Sequence, residues 1–163
     1  MSVDTKDKST LVIGGYCEDG FATDFMNSSN KKSIKKIIID ESCYRKEKAF
    51  IIDGWEILES IVIGRWCFSE YEGMFIIRNC PKLREIRIDD HSFENYCEFK
   101  LENLHLLREI NIGNHCFRNV KSFSLTGNVV NGKLEYSDFE ELTTFWTQSD
   151  SFHYCQDITF ESK

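Results

Sequence analysis

Seven cysteines and four histidines are the residues of this 163-residue chain with the greatest capacity for chemistry. Thiolate and imidazole groups bind zinc, and a cysteine beside a histidine can act as a nucleophile beside its base. No two of the cysteines have the C-x-x-C spacing that is typical of zinc sites. The cysteines are Cys17, Cys43, Cys67, Cys80, Cys97, Cys116 and Cys155.

Motifs of known catalytic chemistry do not occur in the sequence either. It contains no phosphate-binding glycine motif, no serine-centred nucleophile elbow and no His-Glu-x-x-His motif. We therefore expect a protein that is not an enzyme and that has no catalytic residues, no metal ion and no cofactor.

Three of the cysteines and two of the histidines belong to an eleven-residue phrase that recurs along the chain. Four clear copies begin at residues 34, 58, 83 and 107, and a weaker fifth begins at residue 142. When the first residue is offset 0, offsets 3, 5 and 10 are apolar in every copy except at Thr147, and offset 9 is Cys or Ser. The wider last step indicates an insertion near residues 127–141.

Repetition at this period predicts a solenoid, because one repeat cannot bury its own apolar face whereas stacked repeats can. Offsets 3 and 5 share one face of a strand and should point into the core, with offset 4 pointing out. A second extended stretch in each repeat, such as residues 49–52 and 74–77, predicts a second sheet. A β-sandwich is the alternative, but it does not require one phrase every 24 or 25 residues.

The predicted fold is therefore mostly β: a solenoid of about five 24–25-residue repeats, with two parallel sheets and little helix. Residues 1–33 are expected to form an N-terminal cap or a degenerate repeat. Residues 34–163 are expected to form the solenoid, with the insertion near 127–141.

The repeat changes the interpretation of the reactive residues. Cys17, Cys43, Cys67 and Cys116 share one position with Ser92 and Ser151, which favours small, reduced side chains in a tight turn. Stacking also brings the first three cysteines near disulfide range, so a disulfide is the alternative. His91 and His115 share offset 8 and should lie one above the other, as a hydrogen-bonded stack or, alternatively, as a two-histidine metal site.

The phrase L-x-x-I-x-I-G-x-x-C-F resembles leucine-rich repeats and is most similar to the BspA-like class, whose repeats contain I-G-x-x-A-F. Cys67 and Cys116 stand where that class has alanine, and the resemblance covers roughly residues 33–163. At offset 8 this chain has Ser42, Trp66, His91, His115 and Asp150 in place of the usual asparagine. The resemblance implies the stacked fold but no single activity, because the family contains adhesins, receptors and adaptors.

The outward row at offset 4 is the candidate binding surface. Exposed Trp and Arg are enriched at interface hot spots, so we expect Trp146 and Arg87 to be the anchors. The alternative is an ordinary solvated sheet in which Glu85, Arg87 and Arg108 satisfy one another. The residues expected to contact a partner are Ile38, Val62, Arg87, Asn111 and Trp146 in the row, and Arg84, Glu85, Arg108 and Glu109 beside it.

Composition limits the kinds of partner. The formal net charge of −7 disfavours nucleic acid and anionic membranes, which require a basic surface. The chain has no apolar run of signal-peptide or membrane-spanning length, so we expect a cytoplasmic or nuclear protein. The expected partner is a protein of unknown identity.

Three functions follow from these expectations. The first is a non-enzymatic scaffold, an adaptor or complex subunit, that binds through the exposed face of the repeat sheet. The second is an assembly protein that associates through the solenoid ends and the 127–141 loop, including a homodimer through an uncapped C-terminal end. A secreted adhesin or glycan binder is the third.

Overall fold

Parallel strands from successive repeats form two facing sheets. The computed structural model describes residues 2–3, 9–14, 17, 28–127, 129–130, 133–134, 144–153, 155 and 157–162. Within these residues the chain is mostly β with one short helix. The prediction of a repeat solenoid with two parallel sheets and little helix is confirmed.

The first sheet contains the strand of the repeated phrase from every copy. Its order among the described residues is β1-β2-β3-β5-β7-β9-β13, and all neighbours are parallel except β1 and β2. The strands are β1 (Ser2–Val3), β2 (Thr10–Gly14), β3 (Lys36–Ile39), β5 (Ser60–Ile63), β7 (Glu85–Ile88), β9 (Glu109–Ile112) and β13 (Thr144–Thr147).

The second sheet contains the second extended stretch of each repeat, and all of its neighbouring strands are parallel. Its order is β14-β10-β8-β6-β4. The strands are β4 (Ala49–Asp53), β6 (Met74–Arg78), β8 (Glu98–Glu102), β10 (Ser122–Gly127) and β14 (Asp157–Ser162). A helix, α1 (Ser28–Ser33), precedes β3, and β11 (Val129–Val130) pairs with β12 (Lys133–Leu134).

The repeated phrase positions its apolar residues in the core as expected. Ile86 of β7 lies in register with Ile61 and Ile110, and Ile88 with Ile63 and Ile112. All six side chains are buried. Because the side chains of a strand alternate between its two faces, Arg87 between them points outward and is exposed. The 127–141 insertion lies largely outside the described residues.

Aromatic rings fill the space between the sheets in two columns. The offset-10 column consists of Tyr44, Phe68, Phe93, Phe117 and Phe152, with neighbouring centroids 4.8–5.6 Å apart. The second column, on the second sheet, consists of Phe50, Phe75, Phe99 and Phe123, stacked at 4.9–5.1 Å. Rings of the two columns meet edge to face, which is a favourable aromatic geometry.

The corner after each strand of the first sheet has an unusual backbone. The residues at offsets 8 and 10 have positive φ in every copy, for example His91 at 60° and Phe93 at 56°. The His91 N–H donates to Asn114 O in the following repeat, whereas the Phe93 N–H donates to Cys67 O in the preceding one. The two residues with left-handed backbone conformation thus direct one N–H group to the following repeat and one to the preceding repeat. Asn, Asp and His tolerate this conformation best, which suits His91, His115 and Asp150.

The small residue at offset 9 closes the same corner by a hydrogen bond. Ser92 Oγ donates to Gly64 O at 2.7 Å, and Cys67 Sγ makes the equivalent bond to Asp40 O at 3.0 Å. Ser92 Oγ also accepts from the Cys67 N–H at 3.1 Å. The expected preference for a small side chain is confirmed, and the donor on its tip explains why Cys and Ser both fit.

Replacing Ser92 with alanine should therefore lower the free energy of unfolding by about 1–3 kcal/mol, because Gly64 O and the Cys67 N–H lose a buried partner. The matched control is Ser92→Cys, which restores the side chain found at this offset in the repeats on either side. Urea denaturation of both variants checks this prediction. Equal losses in the two would show that the hydrogen bond contributes nothing measurable.

Side-chain hydrogen bonds along the solenoid also connect the repeats, in addition to the hydrogen bonds at the corners. Asn103 Nδ2 donates to Asn79 Oδ1 at 2.7 Å, and Asn79 Nδ2 donates to Asp53 Oδ1 at 2.8 Å. The phenol of Tyr96 reaches further, because its Oη donates to Glu47 O, 49 positions earlier, at 2.9 Å. Tyr96 thus connects two repeats that are not neighbours.

Candidate binding groove on the first sheet

The outward row predicted at offset 4 exists in the structure. Arg87 lies in register with Val62 and Asn111, and the row continues from Val62 to Ile38 and from Asn111 to Trp146. Arg87 and Trp146 are exposed, whereas the other three are half-buried. The two expected anchors are therefore the most accessible members of the row.

A groove of about 570 Å³ crosses the C-terminal part of this sheet. It spans the outward side of β7, β9 and β13 and the corners that follow them. Its lining brings together five of the nine predicted partner-binding residues. These five are Glu85, Arg87, Glu109, Asn111 and Trp146.

The other four predicted residues lie outside the groove. Ile38 and Val62 continue the outward row toward the N-terminal end, on β3 and β5. Arg84 and Arg108 directly precede β7 and β9 and are exposed. These four residues therefore belong to the surface next to the groove and do not line it.

Sequence reasoning missed the offset-6 residues in one wall of the groove. Asp89 and Gln148, both at offset 6, line it together with Arg65 and Asp90 at offset 7. Strand alternation carries a signal for offset 6, because it lies two positions after the outward offset 4. Extending the alternation one step past the strand would have included Asp89 and Gln148.

Ion pairs inside the groove occupy its two arginines. Arg87 Nε lies 3.3 Å from Asp89 Oδ1, and Arg65 Nη2 lies 3.7 Å from Asp90 Oδ2. Arg87 thus pairs with Asp89 and not with Glu85, although both carboxylates lie two positions from it along the chain. The Asn114 backbone N–H donates to Asp90 and, with the Asn114 amide and Arg65, holds the pKa of Asp90 below its ordinary value.

Two neighbouring glutamates line the groove. Glu85 and Glu109 are direct cross-strand partners in β7 and β9. Glu109 accepts a hydrogen bond from the Asn111 amide. Trp146, whose residue surface is 53 % exposed, follows Asn111 in the outward row. The groove therefore combines a large exposed aromatic surface with adjacent carboxylates.

A stack of three rings lies along the corners. The Trp66 ring lies 4.0 Å from that of His91 at an interplanar angle of 1°, and His91 lies 4.8 Å from His115 at 12°. The expectation that His91 and His115 lie one above the other is confirmed. His115 Nδ1 faces Asp150 at 3.6 Å. Among the residues that the structure describes, no three His, Cys, Asp or Glu side chains are grouped to hold a metal ion.

All seven cysteines are free thiols. Burial raises the pKa of Cys67 and Cys116 from 9.0 to about 12, and that of Cys43 and Cys80 from 9.0 to about 11. A raised pKa keeps these thiols protonated and weakly nucleophilic at neutral pH. The interpretation of the cysteines as reduced, buried side chains fits this arrangement.

These thiols predict alkaline instability. Unfolded cysteines ionise near pH 9, whereas the buried ones resist ionisation until about pH 11–12. Their contribution to stability is complete below pH 9 and is lost as the pH rises through that interval. Denaturation midpoints measured from pH 8 upward check this.

The variant Cys67→Ser with Cys116→Ser should show a shallower alkaline fall, because serine keeps the corner donor and does not ionise in this range. Burial also raises the pKa of Tyr96, so part of the fall should remain. An unchanged slope in the double variant would assign the alkaline loss to other groups.

The outward face of the second sheet is occupied by its own ion pairs. Arg78 Nη2 lies 2.8 Å from Asp53 Oδ2, and Lys100 Nζ lies 3.2 Å from Glu102 Oε2. Met74, at the start of β6, is the large apolar side chain exposed on this sheet among the described residues. This face therefore offers a matched control surface for the first sheet.

No helix in the described part of the chain is long and apolar enough to cross a membrane. Comparison of the chain with protein-family models, with curated proteins and with solved structures finds no match.

Proposed function

We propose that this protein is a non-enzymatic interaction scaffold, an adaptor or complex subunit, that binds a protein partner through the exposed face of its first sheet. One observation carries the proposal. The groove of about 570 Å³ is bordered by both expected anchors, Arg87 and Trp146. Interface hot spots are enriched in these two residue types and cluster in pockets that exclude water when occupied.

Burial of Trp146 would supply much of the driving force. A tryptophan side chain that is half exposed in the free protein gains from removal of its apolar surface from water, at about 25 cal/mol per Å². Arg87 can still donate hydrogen bonds to a partner, because its guanidinium meets Asp89 through Nε, which leaves its terminal nitrogens. The rigid parallel strands hold both side chains before a partner arrives.

We also propose that the chain is a leucine-rich-repeat protein of the BspA-like class. The shared register of Ile61, Ile86 and Ile110 supports this, together with the repeated corner. A cytoplasmic or nuclear location is likewise proposed, on the support of seven unpaired thiols, since disulfides are rare in those reducing compartments.

The test of the scaffold proposal uses Trp146→Ala and Arg87→Ala in quantitative capture from native extract. A partner that binds the unaltered protein should bind either variant at least about tenfold more weakly, since hot-spot truncations cost about 2 kcal/mol or more. Thermal unfolding should be nearly unchanged, because both residues are exposed.

Met74→Ala is the matched control, because it removes an exposed apolar side chain from the second sheet. A partner lost with Met74→Ala and retained by both first-sheet variants would contradict the proposed face.

A second candidate function is assembly through the end of the solenoid. Among the described residues, β13 is the outermost strand at one side of the first sheet and β14 is the outermost strand at the same side of the second. A terminal strand presents backbone groups that another chain can pair with. Sedimentation of the chain at rising concentration tests this: self-association that persists in Trp146→Ala would favour assembly, and a monomer throughout would oppose it.

A further inference from the structure

The two neighbouring glutamates that line the groove repel each other. Glu85 and Glu109 are direct partners in parallel strands, which lie about 4.7–4.9 Å apart. Like charges directly opposite each other on one face of a sheet are destabilising. The free protein therefore holds a repulsive pair on its candidate binding surface.

The cationic side chains that line the groove already form ion pairs with its aspartates. Its two arginines face Asp89 and Asp90, and within the described part of the chain the carboxylate of Glu85 forms no ion pair. Glu109 is held only by the neutral amide of Asn111. With two arginines against four carboxylates, the lining carries excess negative charge that its own side chains do not neutralise.

Trp146 adds a second feature that favours a cation. It is the next residue in the outward row after Asn111, in the same groove as the glutamates. The face of an indole ring attracts Arg and Lys, and the attraction strengthens when water is excluded. A cationic side chain seated against Trp146 would lie one strand from Glu109 and two strands from Glu85, within the field of both carboxylates.

We propose that the groove recognises a partner segment that carries an Arg or Lys side chain, which lies against Trp146 and neutralises Glu85 and Glu109. This inference rests on the proposed function and specifies the chemistry of the partner. The acidic net charge of the chain supports it, because the protein field attracts basic segments and repels acidic ones.

The test uses four blocked peptides of equal length, in which a single Gly/Ser frame carries Arg, Lys, Gln or Glu at its centre. The protein is the full chain with Trp66→Phe. Since Trp55 is buried, Trp146 is then the exposed indole. The Arg and Lys peptides should change its fluorescence saturably at millimolar concentration or below, and added salt should weaken the response. The Gln and Glu peptides should give no saturable change.

The variant Glu85→Gln with Glu109→Gln supplies the charge test. The affinity for the Arg and Lys peptides should fall by about three- to tenfold, in line with exposed charge pairs. The matched control is Glu98→Gln, a half-buried glutamate in β8 of the second sheet, which should leave the affinity unchanged. The double variant should also unfold at a slightly higher urea concentration, because the repulsion is gone.

Three results would overturn the inference: equal responses to the Arg and Glu peptides, an unchanged affinity in the double variant, or no saturable response to any peptide. These outcomes are separable from the proposed function. A captured protein that depends on Trp146 but not on the two glutamates would leave the scaffold intact and refute the cationic partner. If no captured protein depends on Trp146, the scaffold proposal fails whatever the peptides show.

Discussion

Truncation of Phe93 to alanine is expected to lower the free energy of unfolding by about 3–5 kcal/mol. The ring is fully buried and lies 4.8 Å from Phe68 and 5.1 Å from Phe117 in its own column. It also meets Phe75 and Tyr96 edge to face, each at 5.0 Å. Hydrogen bonds between parallel strands fix the spacing of successive repeats, which opposes collapse of the neighbouring rings into the cavity.

Chemical denaturation of Phe93→Ala against Tyr71→Ala measures this effect. Tyr71 is an aromatic residue with 45 % of its surface exposed, and its ring contacts the Lys48 ammonium at 5.3 Å, so its truncation should lower stability by about 1 kcal/mol or less. Phe99→Ala is a second comparison, because Phe99 is fully buried in the facing column and lies in a strand. A loss of less than about 1 kcal/mol at Phe93 would show that the core relaxes around the missing ring.

Among the glycines for which the structure gives contacts, Gly73 should be the one where alanine is most damaging, with a loss of about 3 kcal/mol. A Cβ built on Gly73 would lie 2.4 Å from Lys48 O and 2.8 Å from Lys48 C in the preceding repeat. Both contacts are with backbone, which cannot rotate away. Relief requires the two repeats to separate, and this would break the hydrogen bond from the Met74 N–H to Lys48 O.

The control for Gly73 is Gly54→Asn. Gly54 has a φ of 70°, and its Cβ would meet nothing within 4 Å. In the next two repeats Asn79 and Asn103 make the equivalent backbone bond, with φ of 55° and 56°. Asparagine tolerates this conformation, so thermal unfolding of Gly54→Asn should lie close to that of the parent protein. Equal losses of stability in Gly73→Ala and Gly54→Asn would show that the steric conflict at Gly73 is not the cause of the loss.

The sequence was sufficient to predict the fold because its signal is periodic. Ile86 and Ile88 could be assigned to the core from spacing alone, since strand alternation leaves them only one face to share. The stacking of His91 on His115 followed from the same register, and Trp66, at the same offset, extends that stack. The deviation at Thr147 did not prevent β13 from pairing in register with β9.

The candidate site was predictable only in part, because its walls depend on the corners. The outward position of Arg87 and Trp146 follows from alternation, whereas the pairing of Arg87 with Asp89 depends on the path of the chain after β7. The asparagine ladder through Asn79 and Asn103 was also missed. Its members lie after the second strand of each repeat, where repeats of 24 and 25 residues shift the numbering relative to the phrase.

The long reach of Tyr96 has a consequence for how the molecule opens. Most contacts in the stack join adjacent repeats, so local unfolding should begin at either end and advance inward. The bond from Tyr96 Oη to Glu47 O ties the stretch between them into a cooperative foldon. Native-state hydrogen exchange should therefore show the amides of β4, β5, β6 and β7 opening at one common free energy. In the Tyr96→Phe variant, the amides of these strands should instead open at a graded series of free energies.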